Sequence, residues 1–119
     1  MARNASVALL LEDEPLISID VEDTLEEAGF AVTTVMSCRD AGDWLNTCRP
    51  DVAIVDIELK DGPCHSIVER LIEADVPFIV HSGEHVSTYV GTPFAHGLWL
   101  SKPADPGALA DAARALIAA

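Results

Sequence analysis

Positive charge is scarce in this chain. Seven Lys and Arg stand against 20 Asp and Glu, a formal net charge of −13, and the seven are scattered. Binding to DNA or RNA rests on neutralising phosphates with cationic side chains, so the composition argues against a nucleic-acid surface. Cysteine is sparse too. Cys38, Cys48 and Cys64 are odd in number and lack paired spacing, which suggests neither a disulfide framework nor a zinc site. Three free thiols in a reducing cytoplasm are expected. No apolar run approaches membrane-spanning length, and the first residues lack a signal-peptide pattern. A cytoplasmic protein without membrane association is the expectation. There is no internal repeat, low-complexity segment or linker. At 119 residues, half of them hydrophobic, the chain suits one domain, 1–119, with a real core.

Strand and helix patterns alternate with short connections, which predicts a parallel sheet covered on both faces. Ala5 to Leu11 is a β-favouring run. Pro15 then opens a helix with Ile17, Val21, Leu25 and Ala28 at helical spacing and Gly29 as its stop. Ala31 to Val35 is a second strand. Ser37 caps a helix from about Arg39 to Thr47 that buries Ala41, Trp44 and Leu45. Val52 to Asp56 is the third strand, and Gly62-Pro63 opens a helix with Ile67, Leu71 and Ala74 inward. Phe78 to His81 and Leu98 to Ser101 are the last strands. Asp105-Pro106 starts a final helix with Leu109, Ala112, Ala113, Leu116 and Ile117 inward. The stretch from Ser82 to Gly97 breaks the rhythm. Gly83, Gly91, Pro93 and several β-branched residues make a poor helix, so a turn or two within a loop is predicted.

Four of the apolar runs deliver a chemically useful residue at the carboxyl end. Val7–Leu11 leads into Glu12 and Asp13, Val52–Val55 into Asp56, Phe78–His81 into Ser82, and Leu98–Ser101 into Lys102. In an open parallel sheet these ends share one edge, where ligands bind. Clustered carboxylates repel unless protonated or bridged by a cation, and Mg²⁺ suits such oxygen donors. Asp56 is the candidate nucleophile on phosphorus, Ser82 a hydroxyl donor to a phosphoryl oxygen with Gly83 leaving the site open, and Lys102 a counter-charge. Glu12 and Asp13 also have a bland reading as acids at a helix start, and Ser82 one as a turn residue. His81 and His85 are four residues apart, but that spacing pairs ligands only on a helix. Metal binding by these two with His96 is therefore not expected.

This ordered set resembles the receiver domain of two-component response regulators. Glu12-Asp13 matches the family's acidic pair, Asp56 its phosphoacceptor, Ser82 its Thr/Ser, and Lys102-Pro103 its Lys-Pro dipeptide. The resemblance covers essentially the whole chain. It implies a CheY-like, flavodoxin-like (βα)₅ α/β fold with five parallel strands, Mg²⁺ dependence and phosphotransfer from a histidine kinase. It further implies Mg²⁺ ligation by Asp13, Asp56 and the main-chain carbonyl of Glu58, with Glu12 acting through water. Glu58 and Glu84 fall at positions that tune dephosphorylation, and Trp99 at the aromatic switch, where a plain core aromatic is an equal reading. Such a module is not a conventional enzyme.

The departures are equally informative. Asp61-Gly62 follows Asp56 two residues sooner than in most receivers, and Leu59-Lys60 replaces the usual Met-Pro. Together with Pro77-Phe78-Ile79-Val80-His81-Ser82-Gly83, the short loop is similar to the FAT-GUY subgroup, in which the fourth helix is missing and HWE-type and related kinases are the associated partners. A fourth helix short or missing puts the usual signalling face in doubt. The expectation is a stand-alone receiver, a monomer or weak homodimer, that acts on an unknown downstream protein. A phosphate sink or a phosphorylation-independent adaptor is the alternative. A haloacid-dehalogenase-type phosphatase wants a second Asp two residues after Asp56, where Glu58 stands. A flavodoxin-like FMN site wants a glycine- and hydroxyl-rich loop where Glu12-Asp13-Glu14 stands.

Overall fold

The computed structural model describes residues 5–118. β1 (Ser6–Leu11), β2 (Phe30–Val35), β3 (Val52–Val55), β4 (Phe78–Ser82) and β5 (Leu98–Ser101) form one sheet in the order β2-β1-β3-β4-β5. Every pairing is parallel. α1 (Pro15–Glu27), α2 (Cys38–Leu45), α3 (His65–Glu73) and α4 (Pro106–Ala118) cover it, giving the expected flavodoxin-like, CheY-like fold. α4 is the last helix and occupies the fifth strand–helix unit.

Alternation along the central strands explains why both faces are apolar. Leu9, Leu11, Ala53, Val55, Phe78 and Val80 point to the side of α2 and α3, with Ile67, Val68 and Leu71. Ala8, Leu10, Ile54 and Ile79 point to the other side, with Val21 and Leu25 of α1 and Leu109, Ala110 and Ala113 of α4. Strands buried on both faces read as continuous apolar runs, as these do. The register sets Leu11 beside Val55 and Val55 beside Val80. Ser82 lies beside Ser101, so the residues that follow these positions emerge at one edge.

Local signals act largely as expected. Pro15 starts α1, and Gly29, at φ 101°, follows its end. The Ser37 hydroxyl accepts from the Asp40 N–H to cap α2. Two helix positions differ. Ala74 is exposed because α3 ends at Glu73 and Val76 turns back into the core, its N–H donating to the Leu71 carbonyl. Ile117, in the last turn of α4, is 37% exposed and lines an open groove with Pro77 and Leu98. The expectation of three free thiols also fails. Cys38 and Cys64 form a disulfide, and Cys48 alone is free. The partners are 26 residues apart, and only the packing of α2 beside α3 brings them together.

Between β4 and β5 there is no regular helix. Two 3₁₀ turns, Val86–Tyr89 and Pro93–His96, take its place, as the glycines and Pro93 predict. Phe94 anchors the segment. It is fully buried, with edge-on contacts to the rings of His65 at 5.1 Å and Tyr89 at 5.5 Å. Its carbonyl accepts from the Trp99 indole at 3.0 Å. Phe94→Ala is expected to lower stability by about 3–5 kcal/mol, measured by urea unfolding.

His81 is the buried polar residue of β4 on the α1 and α4 side, and Nε2 accepts from the Ala104 N–H at 3.4 Å. Burial holds its pKa below the ordinary 6.5; the Lys102 ammonium pushes the same way and Asp56 opposes. The unfolded chain therefore binds the proton first, and stability falls as pH drops below about 6.5. His81→Leu is expected to flatten that dependence between about pH 7 and pH 5.5, as checked by unfolding at each pH.

Candidate functional site

Four strand ends build the site. Glu12 is held by β2 and by its own loop: its N–H donates to the Val35 carbonyl, and the Glu14 N–H donates to its Oε2 at 3.1 Å. Asp56 follows β3, its N–H donating to the Leu11 carbonyl. Its Oδ1 accepts from the Glu58 N–H at 2.9 Å, which shapes the first turn of the following loop. Both acids are nearly inaccessible, at 1% and 2% exposure. Carboxylates so buried require partners, and Lys102 supplies one to each. Its Nζ lies 3.0 Å from Glu12 Oε1 and 2.9 Å from Asp56 Oδ2.

Burial alone would depress the Lys102 pKa, but its hydrogen bonds to Asp56 and Glu12 raise it above the ordinary value. Desolvation raises the Glu12 pKa from its ordinary value despite its bonds to Lys102 and the Glu14 N–H, and the Asp56 charge adds to the rise. Carboxylate oxygens of Glu12, Asp13 and Asp56 lie within 4.8 Å of one another. Among the described residues Asp13 has no ion pair. Three carboxylates against one ammonium leave negative charge that a hard divalent cation with oxygen preference would balance. The donor set therefore fits Mg²⁺.

Ser82 is fully buried at the end of β4, and its carbonyl accepts from the Lys102 N–H at 2.9 Å. That bond ties the two strand ends together. The Ser82 hydroxyl donates to Glu58 Oε1 at 3.3 Å and accepts from the Glu84 N–H at 3.0 Å. The Gly83 N–H donates to the same Glu58 oxygen at 3.2 Å. A Cβ on Gly83 would stand 3.3 Å from that oxygen, so glycine lets the carboxylate approach. An acidic oxygen thus occupies a seat made of a hydroxyl and a main-chain N–H. A phosphoryl oxygen would use the same two donors.

The structure brings together Glu12, Asp13, Asp56, Ser82, Gly83 and Lys102, with the Glu58 carboxylate across from them. Glu84 contributes its main-chain N–H, and its residue is exposed. Trp99 is half-buried, 5.9 Å from the Tyr89 ring, and is fixed by its bond to Phe94. His85 and His96 are exposed while His81 is buried, so these three make no shared site. Sequence reasoning missed Asp61. Its carboxylate accepts from the N–H groups of Cys38 and Arg39 at 2.9 and 3.2 Å, bonds that hold its pKa below the usual value. It docks the β3–α3 loop onto the start of α2, a contact across 23 positions that no local pattern announces.

Comparison with known proteins agrees with this geometry. The family model for the response regulator receiver domain matches residues 8–114. The virulence transcriptional regulatory protein PhoP of Salmonella typhimurium is 34% identical over 68 residues, covering 57% of this chain and 30% of that protein. The chain thus matches less than a third of the length of those curated relatives. Among solved structures, a response regulator receiver protein from Sinorhizobium medicae aligns with TM-score 0.85 and 28% identity, over 97% of this chain and 96% of that one. The receiver domain of a Pseudomonas aeruginosa sensor histidine kinase, which has magnesium coordinated in its active-site cleft, aligns with TM-score 0.83 and 21% identity over 98% and 100%. That likeness shows the fold. The chain belongs to the response regulator receiver domain family, signalling modules of two-component systems that histidine kinases phosphorylate.

Proposed function

We propose that residues 1–119 form a single receiver domain that accepts a phosphoryl group on Asp56 in a Mg²⁺-dependent reaction and changes its binding to a partner protein in the cytoplasm. The observation that carries this reading is the half-buried Lys102 ammonium bridging the buried Glu12 and Asp56 carboxylates beside Asp13. Asp13, Asp56 and the Glu58 main-chain carbonyl, with Glu12 through water, would hold the ion. When bound, Mg²⁺ supplies shielding between the carboxylates and the phosphoryl oxygens.

An Asp56 carboxylate oxygen attacks phosphorus of the kinase's phosphohistidine. The P–N bond breaks, and its electron pair returns to the imidazole. Lys102, already 2.9 Å from Asp56, pairs with a phosphoryl oxygen as that charge arrives. The Ser82 hydroxyl and the Gly83 N–H exchange the Glu58 carboxylate for another phosphoryl oxygen. Ser82 and Lys102 share a main-chain bond, and Trp99 lies three residues before Lys102. A shift at Ser82 therefore reaches the Tyr89–Phe94–Trp99 cluster, the proposed switch. Glu58 and Glu84 act as modulators of the adduct's formation and lifetime. The short Asp56–Gly62 loop and the two 3₁₀ turns support placement in the FAT-GUY subgroup, with an HWE-type kinase as donor. No described helix is long and apolar enough to cross a membrane.

The test is incubation with a small phosphodonor and Mg²⁺, followed by intact mass. One phosphoryl adduct is expected, lost in Asp56→Asn and on chelation of the metal. No adduct in the wild type, or one that survives Asp56→Asn, sinks the reading. Glu58→Ala frees the Ser82 and Gly83 donors. Adduct formation is expected to quicken roughly five-fold, the equivalent of about 1 kcal/mol of hydrogen bonding no longer displaced. Unchanged kinetics would show that Glu58 does not compete for the seat.

A further inference from the structure

The Cys38–Cys64 pair lies outside the phosphoryl site yet is attached to it through one loop. Cys38 begins α2 and Cys64 caps α3, with their Cα atoms 5.5 Å apart, the ordinary separation for a disulfide. Cys64 is buried at 2% exposure and Cys38 is half-buried. The loop from Asp56 to Cys64 is therefore clamped twice. At one end the Asp56 Oδ1–Glu58 N–H bond fixes its first turn. At the other the disulfide joins it to α2, beside the Asp61 carboxylate that accepts from Cys38 and Arg39. Between the clamps lies Glu58, whose carboxylate holds Ser82 and Gly83.

We propose that Cys38 and Cys64 form a reversible redox modification site that sets the stiffness of the active-site loop. The oxidant is hydrogen peroxide. The Cys38 thiolate, the more accessible of the two, attacks a peroxide oxygen, the O–O bond breaks, and water leaves after protonation. The Cys64 sulfur, which gives up its proton, attacks the sulfur of the resulting sulfenic acid; the S–S bond forms as the S–O bond breaks, and the hydroxide leaves as a second water. Two thiols and one peroxide become one disulfide and two waters, and a dithiol reductant reverses the change. In a reducing compartment, the cytoplasm of the proposed function, a disulfide is transient and redox-sensing rather than structural. In the closed form the loop loses freedom to withdraw Glu58, so phosphoryl entry is slowed. That last clause rests on the receiver reading; the redox chemistry and the stiffening do not.

The experiment uses a Cys48→Ser background, which removes the exposed free thiol, with peroxide-treated and dithiothreitol-treated samples compared. Thiol alkylation and intact mass should find both cysteines blocked after peroxide and both reactive after reduction. Amide exchange across residues 57–64 should be several-fold slower in the oxidised form. Adduct formation from a small phosphodonor should be several-fold slower as well, and Cys38→Ser should abolish both differences. Reactive thiols after peroxide, or equal loop exchange in the two forms, overturns the site. Different exchange with equal adduct formation overturns its link to phosphoryl entry. If neither form takes a phosphoryl group, the receiver reading fails, while the thiol and exchange results still decide the redox site.

Discussion

The ammonium of Lys102, set between two buried carboxylates, is the contact around which this molecule is organised. Removing Glu12 and Asp56 from water is unfavourable, and a cation within 3.0 Å of each is what makes their burial tolerable. The three partners come from β1, β3 and the end of β5, so the ion pairs also lock the sheet's carboxyl edge. The main-chain bond from Lys102 to Ser82 draws β4 into the same lock. Structural cohesion and chemical readiness are one arrangement here. Any arriving anion must renegotiate the contacts that hold the edge shut.

Much of this was legible because buried parallel strands leave long apolar signatures. Val52–Val55 and Phe78–Val80 can be recognised without knowing their neighbours, and the residues after them inherit a shared location from topology alone. Composition also exposed the missing helix, since Gly83, Gly91 and Pro93 act locally on the backbone. What stayed hidden depends on side chains meeting across the fold. The Cys38–Cys64 bond and the Asp61 docking both require α2 and α3 to start side by side, a result of tertiary packing that spacing of 26 residues does not encode. The direction of the Glu58 carboxylate, toward Ser82 rather than Asp13, follows from the turn that Asp56 imposes on its own loop.

The two faces of the sheet carry unequal duties. On the α1 and α4 side the core is continuous from Ala8 to Ala113, interrupted at its edge by His81. On the other side the core depends on Phe94, a residue from a segment with little regular hydrogen bonding. Electrostatic chemistry at the edge is thus supported by one rigid layer and one adaptable layer.

That asymmetry bears on how the segment between β4 and β5 holds its shape. A regular helix beside β4 would have to move as a rod or unwind against its own ladder of hydrogen bonds. Two 3₁₀ turns pinned by Phe94, Tyr89 and Trp99 form instead a segment whose local opening breaks few backbone bonds and leaves the sheet untouched. Three aromatic anchors hold it in place. The surface it presents accordingly owes its shape to ring packing rather than to a ladder of backbone bonds, so its local folding free energy is set by side chains.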